Sequence, residues 1–369
     1  MKIALDGYQT LFPAGGISRY TRSLIIALTE MTDPPLELVL FLNRFRESGT
    51  IWKPEGDRCI VRQFFFPRCL TWRAWNQLKW PPIELFCGNI DLFHGVHFVL
   101  PHARKARRVL TVHDLTFWRY PNYFLNREMN ERGYRRELPA ALTRADAVIA
   151  VSHRTREDLI EIFGFSEHRV RVIHEGVDHD VFRPLGREQV RPILERYGLS
   201  TPYMIFLVGT PEPRKNLMRA VKAARLAAPG LPLVLIGPSE RIKTLVGRHD
   251  TPIIITGIVP EAHLPALLSG ASLSLYPSLY EGFGLPVLES MACGAPVIAS
   301  NRGALPEIAG GAAMLVDPEN TNELADAISI LLTDEQLQSR LKSAGTQRAA
   351  EFTWKRTAAE TLSLYRELL

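Results

Sequence analysis

Glu281 and Glu289 stand eight positions apart in "YEGFGLPVLE", residues 280–289, with two glycines and a proline between them. Carboxylates at that spacing could serve as acid and base, hold the hydroxyls of a ligand, or begin an ordinary helix whose dipole favours acids. The dipole accounts for Glu289 but not for the G-F-G, where glycines flanking Phe283 let backbone N–H groups approach a phosphate or a sugar. In "VGTPEPRKNL", residues 208–217, Arg214 and Lys215 could clamp a diphosphate, or form a solvated basic turn that caps a helix through Asn216. Gly15 and Gly16 precede an amphipathic stretch and offer either an anion site at a helix start or a plain tight turn. No G-x-G-x-x-G accompanies them. His113 and Asp114 in "LTVHDLTFW" could donate to a sugar hydroxyl, move a proton, or form a structural pair. His94 and His97 in "FHGVHFVLP" are open between the same readings, and none of these residues has metal-ligand spacing.

These groups need rigid elements behind them. Short β-rich apolar runs alternate with amphipathic stretches, the pattern of an α/β protein with parallel sheets. The first series of strands is "KIALDG", "LELVLFL", "DLFHGV", "RVLTVHD", "AVIAVS" and "VRVIHEG". The second is "YMIFLVG", "PLVLIG", "PIIITG", "SLSLYPS", "PVIAS" and "AAMLVD". Ile17, Tyr20, Leu24, Leu28 and Met31 recur three or four apart and predict a helix after Gly15–Gly16. The charged, proline-containing stretch 178–202 is expected to be a linker, and helices are expected from about Glu319 to the end. The expectation is two doubly wound domains with a cleft between them. In open parallel sheets ligands sit beyond the carboxyl ends of the strands, so the first few residues after each strand are the places to look for chemistry.

Length and composition set the outer limits. With 369 residues, 46% apolar and 22% charged, the chain can bury two cores and is not a disordered polymer. Residues 1–180 hold 25 Lys+Arg against 21 Asp+Glu of the chain's 44 and 39, so most of the net charge of +5 lies in the first half. That excess suits an anionic surface or substrate but is too mild for nucleic acid, and no nucleic-acid motif is present. No apolar run reaches the roughly 18 residues of a membrane span. "MKIALDGY" lacks a signal-peptide core, and Cys59, Cys69, Cys87 and Cys293 show neither metal-ligand nor disulfide spacing, so a cytoplasmic location is expected. Residues 64–80, "FFFPRCLTWRAWNQLKW", interleave aromatics with Arg68, Arg73 and Lys79 and contain no acid. This segment is either a peripheral membrane contact or a helix packing Trp72 and Trp75 inward.

Taken together, "EGFGLPVLESMACGAPVIAS", "VGTPEPRKN", "GGISRY", "TVHDLTF" and "DAVIAVSHRTREDLIEIFG" resemble the family 4 retaining glycosyltransferases, in the mannosyltransferase-like branch of bacterial polysaccharide assembly. The similarity runs through "ALPEIAGGAAMLVDP" to "FTWKRTA", almost the whole chain. It implies a GT-B fold of two Rossmann-like domains, an acceptor-binding one over residues 1–180 and a nucleotide-sugar-binding one over 181–352. The final helix, 353–369, would cross back onto the first. By the resemblance Glu289 binds the ribose, and Glu281 the transferred sugar, with backbone N–H groups of Phe283, Gly284 and Leu285 around sugar and phosphate. Lys215, with Arg214 less firmly assigned, neutralises the departing diphosphate, Gly15 and Gly16 close on it, His113 contacts the sugar, and Val259 packs near the base. Thr210 stands where many members carry an arginine, and Arg214 is the nearest substitute charge. The family implies retention by front-face substitution, no cofactor and no metal. It also implies a nucleotide-sugar donor, GDP-mannose first, and a glycan or lipid-linked acceptor. A sugar-nucleotide epimerase of the same fold, or a non-catalytic glycan-binding protein, are the rival readings.

Overall fold

The computed structural model describes residues 1–12, 15–31, 36–45, 51–123, 127–247 and 252–369, apart from the side chains of Arg68, Cys69, Trp72 and 127–133. The chain folds as two units. One holds Met1–Arg119, a second stretch ending at Gly176, and Trp354–Leu369; the other holds Val177–Thr353 together with residues 120–123.

The first unit is built on β1 (Lys2–Asp6), β2 (Glu37–Asn43), β3 (Cys59–Phe64), β4 (Leu92–Gly95), β5 (Arg107–Val112), β6 (Ala147–Ala150) and β7 (Val170–Val172). They form one sheet in the order β3-β2-β1-β4-β5-β6-β7, with parallel pairing throughout. A parallel sheet is covered on both faces, so alternate residues of a strand feed two cores. Leu38, Leu40 and Leu42 of β2 join Tyr20, Leu24 and Leu28 of the helix Gly16–Glu30. Ala358, Leu362 and Tyr365 of the last helix, Trp354–Leu368, complete that core. Val39 and Phe41 turn to the opposite core with Trp75, Phe93 and Leu110. The end of the chain therefore returns to the first unit because its apolar stripe finishes that unit's core.

The sequence pattern missed β3. "CIVRQF" carries Arg62 and Gln63 on an edge strand with one neighbour, so its outward residues stay exposed and its apolar run is broken.

The second unit is built on β8 (Met204–Leu207), β9 (Leu233–Ile236), β10 (Ile253–Gly257), β11 (Leu273–Tyr276), β12 (Val297–Ser300) and β13 (Met314–Val316). Their order is β10-β9-β8-β11-β12-β13, again parallel, and all six fall within the expected runs. The stretch expected as a linker instead contains a helix, Arg187–Arg196, which buries Val190 and Leu194 in this unit. Two apolar residues four apart were enough to dock it despite the surrounding charge.

Each sheet reverses its winding beside its first strand, between β1 and β4 and between β8 and β11. Loops leaving those strand pairs in opposite directions open a crevice at the carboxyl ends.

Candidate active site

In the second unit the crevice is made by the loops after β8 and β11. The first leaves through Gly209, whose φ of 57° favours glycine, and reaches a single 3-10 turn, Pro213–Lys215. Asn216 then takes the left-handed conformation at φ 58° and starts the helix Leu217–Ala227. Its amide donates to Pro277 O at 3.0 Å and Pro318 O at 2.6 Å, while Leu279 N–H donates to Arg214 O at 2.7 Å. The two loops are thereby laced together, and their charged side chains meet. Arg214 Nη1 lies 2.7 Å from Glu281 Oε2, Lys215 Nζ lies 2.6 Å from Glu281 Oε1, and Arg214 Nε reaches Glu212 at 3.0 Å.

These four side chains are only 14–19% exposed. Burial pushes the Glu281 carboxyl up, but Arg214 and Lys215 together override it and hold the group down at about 2. Burial also pulls the Lys215 ammonium below its usual range, against the attraction of Glu281. With two cations on one carboxylate, Glu281 is firmly ionised, and Arg214 is shared between it and Glu212.

The Glu281 backbone is gripped from behind. Its carbonyl accepts from Ala304 N–H at 3.0 Å, and a Cβ added at Gly303, where φ is 64°, would stand 2.7 Å from that oxygen. Phe283 is buried against Phe352 at 6.1 Å, and Gly284, at φ 115°, caps the helix Leu285–Ala292 with Pro286 in its first turn. Glu289 sits on that helix and is 2% exposed. Thr210 is exposed, Val259 is buried, and its neighbour Ile258, just past β10, is 76% exposed. From residues 120–123, Tyr120 stacks on Tyr123 at 4.8 Å and packs on Tyr280 at 5.4 Å, next to Glu281.

In the first unit the corresponding crevice, beyond β1 and β4, holds a different chemistry. Gly15, at φ 123°, caps the helix Gly16–Glu30, and both glycines are exposed with open space where a Cβ would go; Pro13 and Ala14 lie outside the described residues. His113 follows β5. Its Nε2 faces Val96 O at 2.9 Å and its Nδ1 faces the buried carboxylate of Glu175 at 3.0 Å, with the Tyr20 ring edge-on at 4.7 Å. Asp114 accepts from Thr116 N–H at 2.9 Å, a turn-closing role.

His94 is structural. It is fully buried between Tyr365 Oη at 2.6 Å and Thr111 Oγ1 at 2.7 Å, and burial pushes its pKa down to about 3. His97 meets Gln9 at 3.4 Å and Tyr134 at 3.3 Å. It forms, with Phe98, a wall shared by two cavities: one of about 60 Å³ beyond β1, β2 and β4, and one of about 30 Å³ that contains His113 and Asp114.

The structure thus brings Arg214, Lys215 and Glu281 together in one unit and fixes His113 in the other. It adds Glu212 and Glu175, which the sequence reading did not single out, and it turns the Asn216 side chain, read there as a helix cap, to bridge the two loops instead. Glu175 ends "VRVIHEG", so the rule that found His113 at a strand's carboxyl end could have found it too. Cys87 and Cys293 are free thiols that burial pushes up to about 12, which leaves them inert packing groups.

A family profile described as Glycosyl transferases group 1 matches residues 191–348, and one described as Glycosyltransferase Family 4 matches residues 14–181. O-antigen chain mannosyltransferase B of Escherichia coli is 31% identical over 75% of this chain and 74% of its own. The MMP alpha-(1->4)-mannosyltransferase of Mycolicibacterium hassiacum is 32% identical over 100% and 98%. Among solved structures, sucrose-phosphate synthase from Thermosynechococcus elongatus superposes with a TM-score of 0.78 over 100% of this chain and 99% of its own, at 24% identity. That likeness shows the GT-B fold.

Proposed function

The chain belongs to the family 4 glycosyltransferases, enzymes that use nucleotide sugars, and from that premise we propose that it moves mannose from GDP-mannose to a glycan or lipid-linked acceptor with retention. The observation that supports this reading most is the convergence of Arg214 and Lys215 on Glu281 at the switch point of the second sheet. The acceptor oxygen bonds to the anomeric carbon as the bond from that carbon to the β-phosphate oxygen breaks. The leaving GDP takes the electron pair, and the acceptor's proton passes to that phosphate. Negative charge grows on the phosphate in this step, so preorganised cations beside it lower the barrier.

In this reading Lys215 and Arg214 turn from Glu281 toward the diphosphate, and Glu281 meets a sugar hydroxyl. Glu289 holds the ribose, Val259 lies by the base, and Thr210, Phe283, Gly284 and Leu285 line the donor. His113, Gly15 and Gly16 serve from the first unit. Side-chain cations do the work that a metal does elsewhere, so turnover persists in EDTA. The enzyme acts in the cytoplasm at the membrane surface, with residues 64–80 as its contact.

Two measurements test the reading. A thermal-shift comparison of GDP, UDP and ADP should single out GDP; a hundredfold excess over Kd stabilises by about 2.7 kcal/mol. Carbon-13 spectra of the product from anomerically labelled GDP-mannose should show the donor's α configuration. A β product would remove retention, and stabilisation by UDP instead of GDP would remove the donor.

A further inference from the structure

Four buried polar side chains of the first unit join end to end. Tyr365 Oη of the last helix meets His94 Nδ1 at 2.6 Å, His94 Nε2 meets Thr111 Oγ1 at 2.7 Å, and Thr111 Oγ1 meets Tyr20 Oη at 3.0 Å. Each of the four is no more than 1% exposed. Among the described residues the two tyrosine hydroxyls have no other hydrogen-bond partner. The row forms because β4 lies beside β5, while the helices Gly16–Glu30 and Trp354–Leu368 share one core. Tyr20, at its end, packs on Trp354 at 5.9 Å and presents its ring edge-on to His113 at 4.7 Å.

Counting protons limits what this row can do. Burial keeps His94 neutral, so its ring brings one N–H and one lone pair. Two phenols, one threonine hydroxyl and that N–H bring four protons to three contacts, which leaves one proton over. Three arrangements are open. With the N–H on Nδ1, it donates to Tyr365, and the Tyr365 O–H is left over. With the N–H on Nε2, it donates to Thr111, and the spare proton belongs to whichever of Tyr20 and Thr111 accepts in their own contact.

The surroundings choose between them. A spare proton on either tyrosine would be a hydroxyl without an acceptor in a core of rings and aliphatic side chains, an unfavourable burial. Thr111 differs, because it also borders the cavity of about 30 Å³ that contains His113 and Asp114. That volume is enough for about two waters. An acceptor stands there as well. Asp114 Oδ1 takes the Thr116 N–H at 2.9 Å, and its second oxygen takes no donor from the described residues.

We propose that Tyr365 fixes His94 as the Nε2–H tautomer, that Tyr20 donates to Thr111, and that the Thr111 O–H therefore turns into the cavity and holds a water bridging to Asp114 Oδ2. Thr111 then has all three of its hydrogen bonds, and no tyrosine proton is stranded. It is a positioning residue: through the water it orients Asp114, the neighbour of His113 in the chain, and the last helix sets the direction in which it donates. The polarity and the water stand on these contacts and the cavity; their effect on turnover rests on the glycosyltransferase reading.

The polarity is measurable without substrate. Nitrogen–proton correlation spectra of the whole protein labelled with nitrogen-15 histidine, with His94 assigned by the loss of its signals in His94→Gln, should show a protonated Nε2 and a bare Nδ1. A crystal structure that resolves waters should hold one within hydrogen-bond distance of both Thr111 Oγ1 and Asp114 Oδ2. Thr111→Val keeps nearly the same shape. It should lose that water and lower kcat with GDP-mannose about tenfold, with donor KM changed less than about twofold. Thr111→Ser should keep the water and stay within about twofold of wild type. A protonated Nδ1, a dry cavity in the wild-type protein, or a valine variant as fast as wild type would overturn the proposal. A serine variant as slow as the valine one would overturn it too, because the side chain would then act by its shape. If the wild-type protein turns over no GDP-mannose, the donor reading fails instead, and the tautomer and the water still decide the polarity.

Discussion

The two sheets share one winding scheme, with the order reversing beside the first strand of each, yet they place opposite kinds of chemistry at their carboxyl ends. The second unit gathers full charges there: Glu212, Arg214, Lys215 and Glu281 within 3.0 Å contacts, mostly hidden from water. The first unit gathers histidines and rings: His113 between Val96 O and Glu175, His97 between Gln9 and Tyr134, and a neutral buried His94. Topology therefore sets where a ligand can bind, and the few loop residues after each strand set which ligand. A crevice holding two paired cations offers them to a leaving diphosphate, and a crevice of amides, rings and carboxylates suits hydroxyl groups.

The largest effect that would break this contrast lies at the two cations of the second unit. Lys215→Ala should lower kcat with GDP-mannose by about 10²–10³-fold, the usual loss for one preorganised donor at a developing charge. Donor KM should change far less, because Arg214 still holds the diphosphate. Lys215→Arg should recover only part of the rate, since a planar fork does not replace a point charge in a site packed around an ammonium. A kcat within a factor of two of wild type in Lys215→Ala would mean that charge at this crevice is structural only.

Acid should then separate the two units. His94 has a folded pKa near 3 against an ordinary 6.5, so the unfolded chain binds its proton first, and the stability this gives the first unit above pH 6.5 drains away as pH falls. Between pH 6.5 and 5 the loss comes to roughly 2 kcal/mol. Glu281 is held at about 2 against an ordinary 4.5, so the second unit keeps its contribution until pH falls below about 4.5. Hydrogen exchange at pH 7 and pH 5 should show core amides of β4 and β5 losing protection while those of β8 and β11 keep theirs. Loss in both units together would remove the assignment of the two transitions. Glu281→Gln should weaken the second unit at neutral pH by roughly 3 kcal/mol, because it leaves two buried cations facing an amide, and should flatten that unit's response below pH 4.5.

The sequence was most legible where strands are buried on both faces. "YMIFLVG", "PLVLIG" and "SLSLYPS" are continuous apolar runs because helices cover both sides of a parallel sheet, and each is a strand. It was least legible at edges and in charged stretches, where β3 and the Arg187–Arg196 helix were missed because half of each faces water. The candidate site divided in the same way. Arg214, Lys215 and Glu281 are legible as residue types after strands, but their meeting depends on β8 lying beside β11, which no local pattern states. The reading of the segment 64–80 was split between core and surface, and the segment does both: Trp75 is buried and Trp80 exposed five residues later.

Glu175 shows what pattern reading leaves behind, and it supports the smallest effect. It lies 62 positions from His113 in sequence, and only the pairing of β5, β6 and β7 brings the two within 3.0 Å. Both nitrogens of His113 face acceptors, so the ring is oriented from two sides and cannot swing without breaking a buried contact. Glu175→Gln keeps an acceptor oxygen and loses the charge, and kcat/KM should fall only about threefold. Glu175→Ala removes the contact altogether and should cost about tenfold or more, mainly in kcat, with Tm little changed. If the glutamine variant is as impaired as the alanine variant, the carboxylate acts by its charge on His113 rather than by aiming it. If both match wild type, the ring is held well enough by Val96 O and Tyr20, and the first unit's crevice would then need no ionised group beside its histidine.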